Sequence, residues 1–228
     1  MKAVEKWLLP PRCVLTGAPG AEVDLASALI ETLRPPSQVC PQCCELSVNA
    51  QLCGACLTQP PAFSRTQVGF YFAEPLDRLI YDFKYHDKAA YARLFAELLA
   101  TRLQIEGVQA LIAIPAHPLR RRARGYNQAE LLAEALGKHL KIPVIRGAVI
   151  RVKNTLSQTH LTASQRQRNL KNAFQIKPSR LAALNELTQI ALVDDVITTG
   201  ATMQQVAELI HKKTAIQNCQ AWSIAKTK

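Results

Sequence analysis

The chain has 228 residues, with 28 Lys and Arg against 17 Asp and Glu, a formal net charge of +11. Apolar residues make up 48% and aromatics 6%. This composition fits a soluble globular protein with enough chain to bury a core. It excludes an intrinsically disordered chain, and with 9 Gly and 13 Pro it excludes collagen-like and low-complexity classes. No apolar run approaches the roughly 18 residues that a membrane-spanning helix needs. The opening residues carry Lys2, Glu5 and Lys6 around a short Trp7-Leu8-Leu9 patch, too short and too charged for a signal-peptide core. The expectation is a cytoplasmic protein without a membrane span, whose seven cysteines serve as thiols or metal ligands rather than disulfides.

Two compositional blocks divide the chain. Residues 1–64 hold six of the seven cysteines and three proline pairs, and their charge is close to balanced. Residues 65–228 read as a second domain of alternating strands and helices. Gly69-Phe70-Tyr71-Phe72 reads as a short strand. Residues 75–103 carry helical periodicity through Leu76, Leu79, Ile80, Phe83, Leu94, Phe95, Leu98 and Leu99. Ala110-Leu111-Ile112-Ala113-Ile114 is a continuous apolar run of the kind that forms a buried parallel strand. A helix follows over residues 127–140, then short strands at Val144-Ile145 and Ala148-Val149-Ile150. Ile190-Ala191-Leu192-Val193 is another buried strand, residues 202–213 a helix and residues 219–225 a last strand. This alternation predicts an α/β fold with a mostly parallel sheet flanked by helices.

The first block contains Cys40-Pro41-Gln42-Cys43 and Cys53-Gly54-Ala55-Cys56. Each pair can chelate from a tight turn, and the two turns together complete a tetrahedron of thiolates around a structural Zn²⁺. A set of buried or reactive thiols is the plainer alternative. Cys44 is an additional thiol that could substitute as a ligand, and Cys219 reads as a small buried hydrophobe.

The positive charge concentrates in residues 118–171, where twelve cations face only Glu130 and Glu134. Arg120, Arg121, Arg122 and Arg124 lead to Gly125, Asn127 and Gln128 in an expected loop after a buried strand. Forked guanidinium donors in such a loop suit a phosphate or pyrophosphate partner, the alternative being a solvated surface.

The most informative segment is Asp194-Asp195-Val196-Ile197-Thr198-Thr199-Gly200-Ala201-Thr202. An apolar strand ends in two carboxylates, and a Thr/Gly turn opens a helix. The unpaired N–H groups of a helix start attract an anion, Gly200 permits close approach of the backbone, and Thr198, Thr199 and Thr202 add hydroxyl donors. Two acids beside a phosphate would repel it, unless they bind sugar hydroxyls directly or through Mg²⁺. No Walker loop and no G-x-G-x-x-G fingerprint is present. An ordinary strand–turn–helix with a threonine cap is the alternative.

This segment resembles the signature of type I phosphoribosyltransferases, which bind 5-phosphoribosyl-1-pyrophosphate (PRPP). The resemblance implies that Asp194 and Asp195 address the ribose hydroxyls, that residues 198–202 cradle the 5′-phosphate, and that residues 120–128 hold pyrophosphate. Arg124-Gly125-Tyr126-Asn127-Gln128 further resembles the Arg-Gly-Phe-Asn-Gln element of the ComF/GntX family, as do Ser157-Gln158-Thr159-His160-Leu161 and Arg166-Gln167-Arg168-Asn169-Leu170-Lys171-Asn172-Ala173-Phe174. That stretch sits where related enzymes carry a mobile loop, which would bring Gln158, Arg166, Arg168 and Asn169 over the ligand; a solvated hairpin that never meets ligand is the alternative. Thr16 stands where the family often has the second cysteine of a further pair with Cys13. The family resemblance implies a type I phosphoribosyltransferase-like fold with a zinc-binding head, and Mg²⁺-dependent PRPP binding. It implies either pentosyl transfer to an acceptor by electrostatic stabilisation, or a non-catalytic role in handling single-stranded DNA with DNA-uptake proteins as partners.

Overall fold

The computed structural model describes residues 10–85, 90–153 and 172–227. In chain order the elements are α1 (Ser27–Thr32), α2 (Gly54–Thr58), β1 (Arg65–Tyr71), α3 (Leu76–Tyr85), α4 (Tyr91–Ala100), β2 (Ala110–Ala113), α5 (Pro118–Arg124), α6 (Gln128–Leu140), β3 (Val149–Arg151), β4 (Phe174–Ile176), α7 (Leu181–Asn185), β5 (Gln189–Ile197), α8 (Ala201–Lys213) and β6 (Asn218–Lys226). Four strands form a parallel sheet in the order β1-β6-β5-β2. β3 and β4 form a separate antiparallel ribbon. Among the described residues, no helix is long and apolar enough to cross a membrane.

The continuous apolar runs are explained by burial of both sheet faces. Leu111, Ala191, Val193, Trp222 and Ile224 point to one side, into a core shared with α3, α4 and α6. Ala110, Ile112, Ile190, Leu192, Cys219 and Ala221 point to the other, against α8 and Leu184. The period-two alternation of a strand thus feeds two cores rather than a core and solvent. Cys219 is fully buried, as a small hydrophobe. Cys13, Leu25 and Leu33 join the first core, so the N-terminal segment packs on the same body of side chains.

Several elements differ from their sequence-based bounds, each for a local reason. β5 does not end at Val193 but runs on to Ile197, because β6 continues beside it with Asp194 opposite Ser223 and Val196 opposite Ala225. β1 begins at Arg65 rather than Gly69; its polar Gln67 is held by hydrogen bonds to Gln104 and Gln220, which satisfies it within the strand. The periodic stretch 75–103 contains two helices, α3 and α4, which meet edge to face through Phe83 and Phe95 with ring centroids 5.3 Å apart. Val144 pairs with Leu111 only as an isolated parallel bridge, while β3 pairs with β4.

The arginine run is helical, not a loop. Pro118 occupies the first turn of α5, the His117 ring nitrogen Nδ1 accepts from Leu119 N–H at 3.2 Å, and Gly125 at φ +81° ends the helix. Arginine is a good helix former, so cap, proline and glycine together define a short helix here.

Gly137 lies within α6, where the chain turns back toward the sheet edge. A Cβ there would sit 2.6 Å from Val144 Cγ2 and 2.7 Å from the Ile142 carbonyl oxygen. In an open helix Gly→Ala gains about 1 kcal/mol. Here Gly137→Ala is expected to lose about 1–3 kcal/mol through overpacking. Thermal unfolding checks the sign; a stabilised variant would contradict the close approach.

Candidate functional site

At the carboxyl ends of the parallel strands lies a cleft of about 750 Å³, where open α/β sheets bind their ligands. Asp194, Asp195, residues 198–202, Arg124, Asn127 and Gln128 all line it. Gly200 adopts φ +73°, a left-handed conformation that glycine accepts readily, and serves as N-cap of the 13-residue α8. Phe63 from the cysteine-rich block packs over this glycine, 3.6 Å from where a Cβ would lie.

The expected anion-loop residues separate. Arg124 turns to the cleft and is held by Tyr85, with its Nη2 donating to the phenol at 3.1 Å and its guanidinium 4.9 Å from the ring centroid. Asn127 Nδ2 donates to the Ile114 carbonyl at 3.0 Å, pinning the start of α6 to the end of β2. Gln128 is buried, and its Nε2 has no hydrogen-bond partner among the described residues. Arg120, Arg121 and Arg122 lie in α5. Arg121, Arg122 and Gly125 line a second cleft on the other side of Asn127, not the cleft of the two acids. A helix spreads consecutive side chains around its axis, whereas a loop could have aimed all four arginines at one ligand. Gln158, Arg166, Arg168 and Asn169 lie outside the described residues.

Three charged side chains escaped sequence reasoning: Lys84 and Glu45 line the cleft, and Lys226 lies buried behind it. Lys84, in the last turn of α3, places Nζ 2.7 Å from Asp195 Oδ2. Lys226, at the end of β6, is buried; its Nζ donates to Glu45 Oε1 at 2.7 Å and to the Thr198 carbonyl at 3.1 Å. Glu45, two residues after a metal-site cysteine, is thereby joined to the threonine turn. A lysine at the end of an otherwise buried strand was the available signal for Lys226. For Lys84 the signal was weaker: a cation following Phe83 at the border of an apolar helix face.

The two acids respond oppositely to this setting. Burial, with the negative charge of Asp195 beside it, raises the Asp194 carboxyl well above the ordinary carboxylate range. Burial also opposes ionisation of Asp195, but the Lys84 ammonium overrides it and draws that carboxyl below its usual value. The setting therefore disfavours charge on Asp194 and favours the ion-paired charge on Asp195. Backbone amides assist: Asp195 N–H donates to Asp194 Oδ1 at 2.9 Å and Val196 N–H to Asp195 Oδ1 at 2.8 Å.

The cysteine pairs converge. Sulfurs of Cys40, Cys43, Cys53 and Cys56 lie within 4.8 Å of one another, and those of Cys43 and Cys53 are 3.6 Å apart. A tetrahedral Zn²⁺ with Zn–S about 2.3 Å implies sulfur–sulfur edges of about 3.8 Å, so the four thiols fit a closed structural site. The knuckle is built by Cys44 N–H donating to the Cys40 carbonyl at 2.8 Å, with Cys44 at φ +60°. Although burial opposes it, Cys40 is drawn down to about 6, with the backbone amides of Cys43 and Cys53 favouring its thiolate. Burial pushes Cys43 up to about 11. The described metal-ligand group does not include Cys44; its thiol is buried and pushed up to about 11 by that burial.

Opposite pH signatures follow for the two acids. The raised Asp194 favours the folded state at acid pH, and that contribution is lost as pH rises above the unfolded value of about 4. Asp194→Asn is therefore expected to match or exceed the parent in thermal stability at pH 7.5 and to lose that advantage near pH 4. Asp195→Asn is expected to cost about 1.5–3 kcal/mol at pH 7.5, a loss that shrinks on acidification because the lowered carboxyl stabilises only while ionised. Thermal unfolding at both pH values checks this; equal effects of the two variants would contradict it. Metal analysis is expected to give one zinc per chain, and none after Cys40→Ser.

No family model matches the chain. The chain is 38% identical over 191 residues to competence protein F of Haemophilus influenzae, covering 80% of this chain and 81% of that protein. It is 31% identical over 211 residues to the DNA utilization protein YhgH of Escherichia coli K12, covering 89% and 90% respectively. Competence protein ComFC of Streptococcus pneumoniae is 24% identical over 178 residues, 77% of this chain and 76% of the relative. With more than a third of positions identical across four fifths of both chains, the protein belongs to the competence protein F (ComF) family.

Proposed function

We propose that the chain is a phosphoribosyltransferase-like protein that binds PRPP with Mg²⁺ and acts in DNA uptake or in the use of DNA and nucleotides, in the cytoplasm. The observation that carries this reading is the meeting, in one cleft, of two adjacent carboxylates, a threonine- and glycine-lined helix start and an arginine. A phosphorylated pentose presents the complementary set: a diol for the acids, a phosphate for residues 198–202 and a second anionic group for Arg124. The buried Gln128 amide adds an unused donor in the same cleft. Relatives named for competence and for DNA utilization support the biological setting.

The donor set fits Mg²⁺, a hard cation that prefers oxygen ligands. Asp194 and Asp195 would hold it, and its charge would relieve the repulsion that raises the Asp194 carboxyl. When bound it would supply charge neutralisation for the phosphates. The chain's own residues do the rest: Arg124 counters negative charge, Lys84 holds Asp195 in place, and Lys226 fixes the Thr198 carbonyl at the head of the phosphate turn. The first 64 residues act as a zinc-binding head and residues 65–228 as the ligand-binding domain, with Glu45 and Phe63 reaching from one to the other.

A second reading, a non-catalytic protein that handles single-stranded DNA and uses the cleft as a ligand sensor, is favoured by the ion pair that already engages Asp195. Calorimetry with PRPP and Mg²⁺, followed by an assay of pyrophosphate release with candidate bases and single-stranded DNA, separates the two. Binding heat is expected for the parent, and its loss in the Asp194→Asn/Asp195→Asn double variant. Binding without turnover would favour the sensor. Absence of heat and of any thermal shift at millimolar PRPP would overturn both.

A further inference from the structure

Lys226 is 3% exposed, and its Nζ donates to Glu45 Oε1 at 2.7 Å and to the Thr198 carbonyl at 3.1 Å. A buried ammonium is costly unless its charge and its N–H groups are both met. Glu45 supplies the opposite charge. Thr198 opens the turn that runs to Gly200, the N-cap of α8. The place of that carbonyl thus depends on where Lys226 sits, and the place of Lys226 depends on Glu45.

Glu45 is placed by the cysteine knuckle. Its backbone carbonyl accepts from Cys40 N–H at 2.7 Å, and Cys44 N–H donates to the Cys40 carbonyl at 2.8 Å. Ser47 N–H donates to the Gln38 carbonyl at 2.9 Å, and a bridge from Val39 to Leu46 closes the hairpin over residues 38–47. Gln38 and Cys44 both adopt positive φ, +52° and +60°, which side chains other than glycine take at a cost. Apart from its cysteines the hairpin gains little from packing: Leu46 and the following Val48 are 77% and 81% exposed. Cys40 and Cys43 of this hairpin meet Cys53 and Cys56. In a segment so built, metal binding supplies the free energy of local order.

We propose that zinc occupancy of the four-cysteine knuckle sets the order of the Thr198–Gly200 turn, with Glu45 and Lys226 as the positioning residues between them, so that zinc and the phosphate-bearing ligand of the cleft bind with positive coupling. With zinc bound, Glu45 is fixed, Lys226 is engaged at both acceptors, and the turn is held. Without zinc the hairpin relaxes, Lys226 loses its carboxylate partner, and the turn frays. These are the two states that a coupling between separate sites requires. The effect on the turn is a property of the chain alone; the effect on ligand rests on the PRPP reading of the cleft.

The test is hydrogen exchange of the full-length, zinc-loaded chain, read by mass spectrometry across residues 194–204, with calorimetry of PRPP and Mg²⁺ beside it. Glu45→Gln keeps the zinc ligands and removes the charge. Because Glu45 is itself partly exposed, a moderate effect is expected: exchange at residues 198–202 about three- to thirtyfold faster, with one zinc per chain retained. Glu134→Gln, an equal charge change at the Arg146 ion pair, should leave that exchange unmoved. Removal of zinc by a chelator should speed exchange at the same turn; where it loosens the whole chain, the zinc-loaded Glu45→Gln variant decides. PRPP is expected to tighten zinc binding in the parent about five- to fiftyfold, measured by competition with a chromogenic chelator, and in Glu45→Gln less than about threefold. Unchanged exchange at the turn in Glu45→Gln, or a rise that Glu134→Gln matches, would overturn the proposal even in a chain that binds PRPP. PRPP binding that leaves zinc affinity unmoved in the parent would overturn the coupling. Faster exchange in Glu45→Gln, in a chain that gives no heat with PRPP, would sustain the hold of the knuckle on the turn while removing the PRPP reading and the ligand coupling with it.

Discussion

Two carboxylates side by side near the end of a buried strand set the terms for everything around them. Asp194 and Asp195 cannot both carry charge there at low cost, because each is withdrawn from water and each repels the other. The two acids are set apart: burial and its neighbour's charge shift Asp194 toward its neutral form, and Lys84 engages Asp195 at 2.7 Å. A fold that needed only a stable strand end would be better served by apolar residues at these positions. Keeping two acids together in a cleft, beside a helix start and an arginine, is a cost that the proposed ligand recognition would offset.

The surroundings of this pair are held from both ends of the chain. The strand that bears it is fixed by β6, whose last residue, Lys226, reaches the Thr198 carbonyl and Glu45 at once. Glu45 belongs to the knuckle that carries Cys40 and Cys43, and its carbonyl accepts from Cys40 N–H at 2.7 Å. The cysteine knuckle and the threonine turn therefore share a hydrogen-bonded path of two side chains. Phe63 over Gly200, and Ala62 N–H donating to Gln204 Oε1 at 2.8 Å, tie the same block to the start of α8. The cysteine site does more than close its own loop: it supports one wall of the cleft.

Much of this was legible in the sequence, and the parts that were not have physical reasons. Apolar runs such as Leu111-Ile112 and Leu192-Val193 announce buried parallel strands, since both faces must be apolar. The two C-x₂-C pairs announce a chelating site because the ligand geometry is local to each turn. The strand's passage beyond Val193 was hidden, because two aspartates carry little strand propensity and only the pairing partner keeps them extended. The division of the arginines was also hidden: it depends on whether residues 118–124 coil, and that rests on a cap, a proline and a glycine whose joint effect outweighs the loop-like charge density. Lys84 and Lys226 act at long range, from a helix and a strand distant in sequence, and no spacing rule connects them to the acids.

The most direct measurement of the central claim is a carbon-13 NMR titration of the Asp194 and Asp195 carboxyl groups, run with and without PRPP and Mg²⁺. The account requires Asp194 to titrate well above the ordinary carboxylate range in the free protein, Asp195 below it, and the Asp194 titration to move down when the ligand enters. Two ordinary, independent titrations that the ligand leaves unmoved would contradict it.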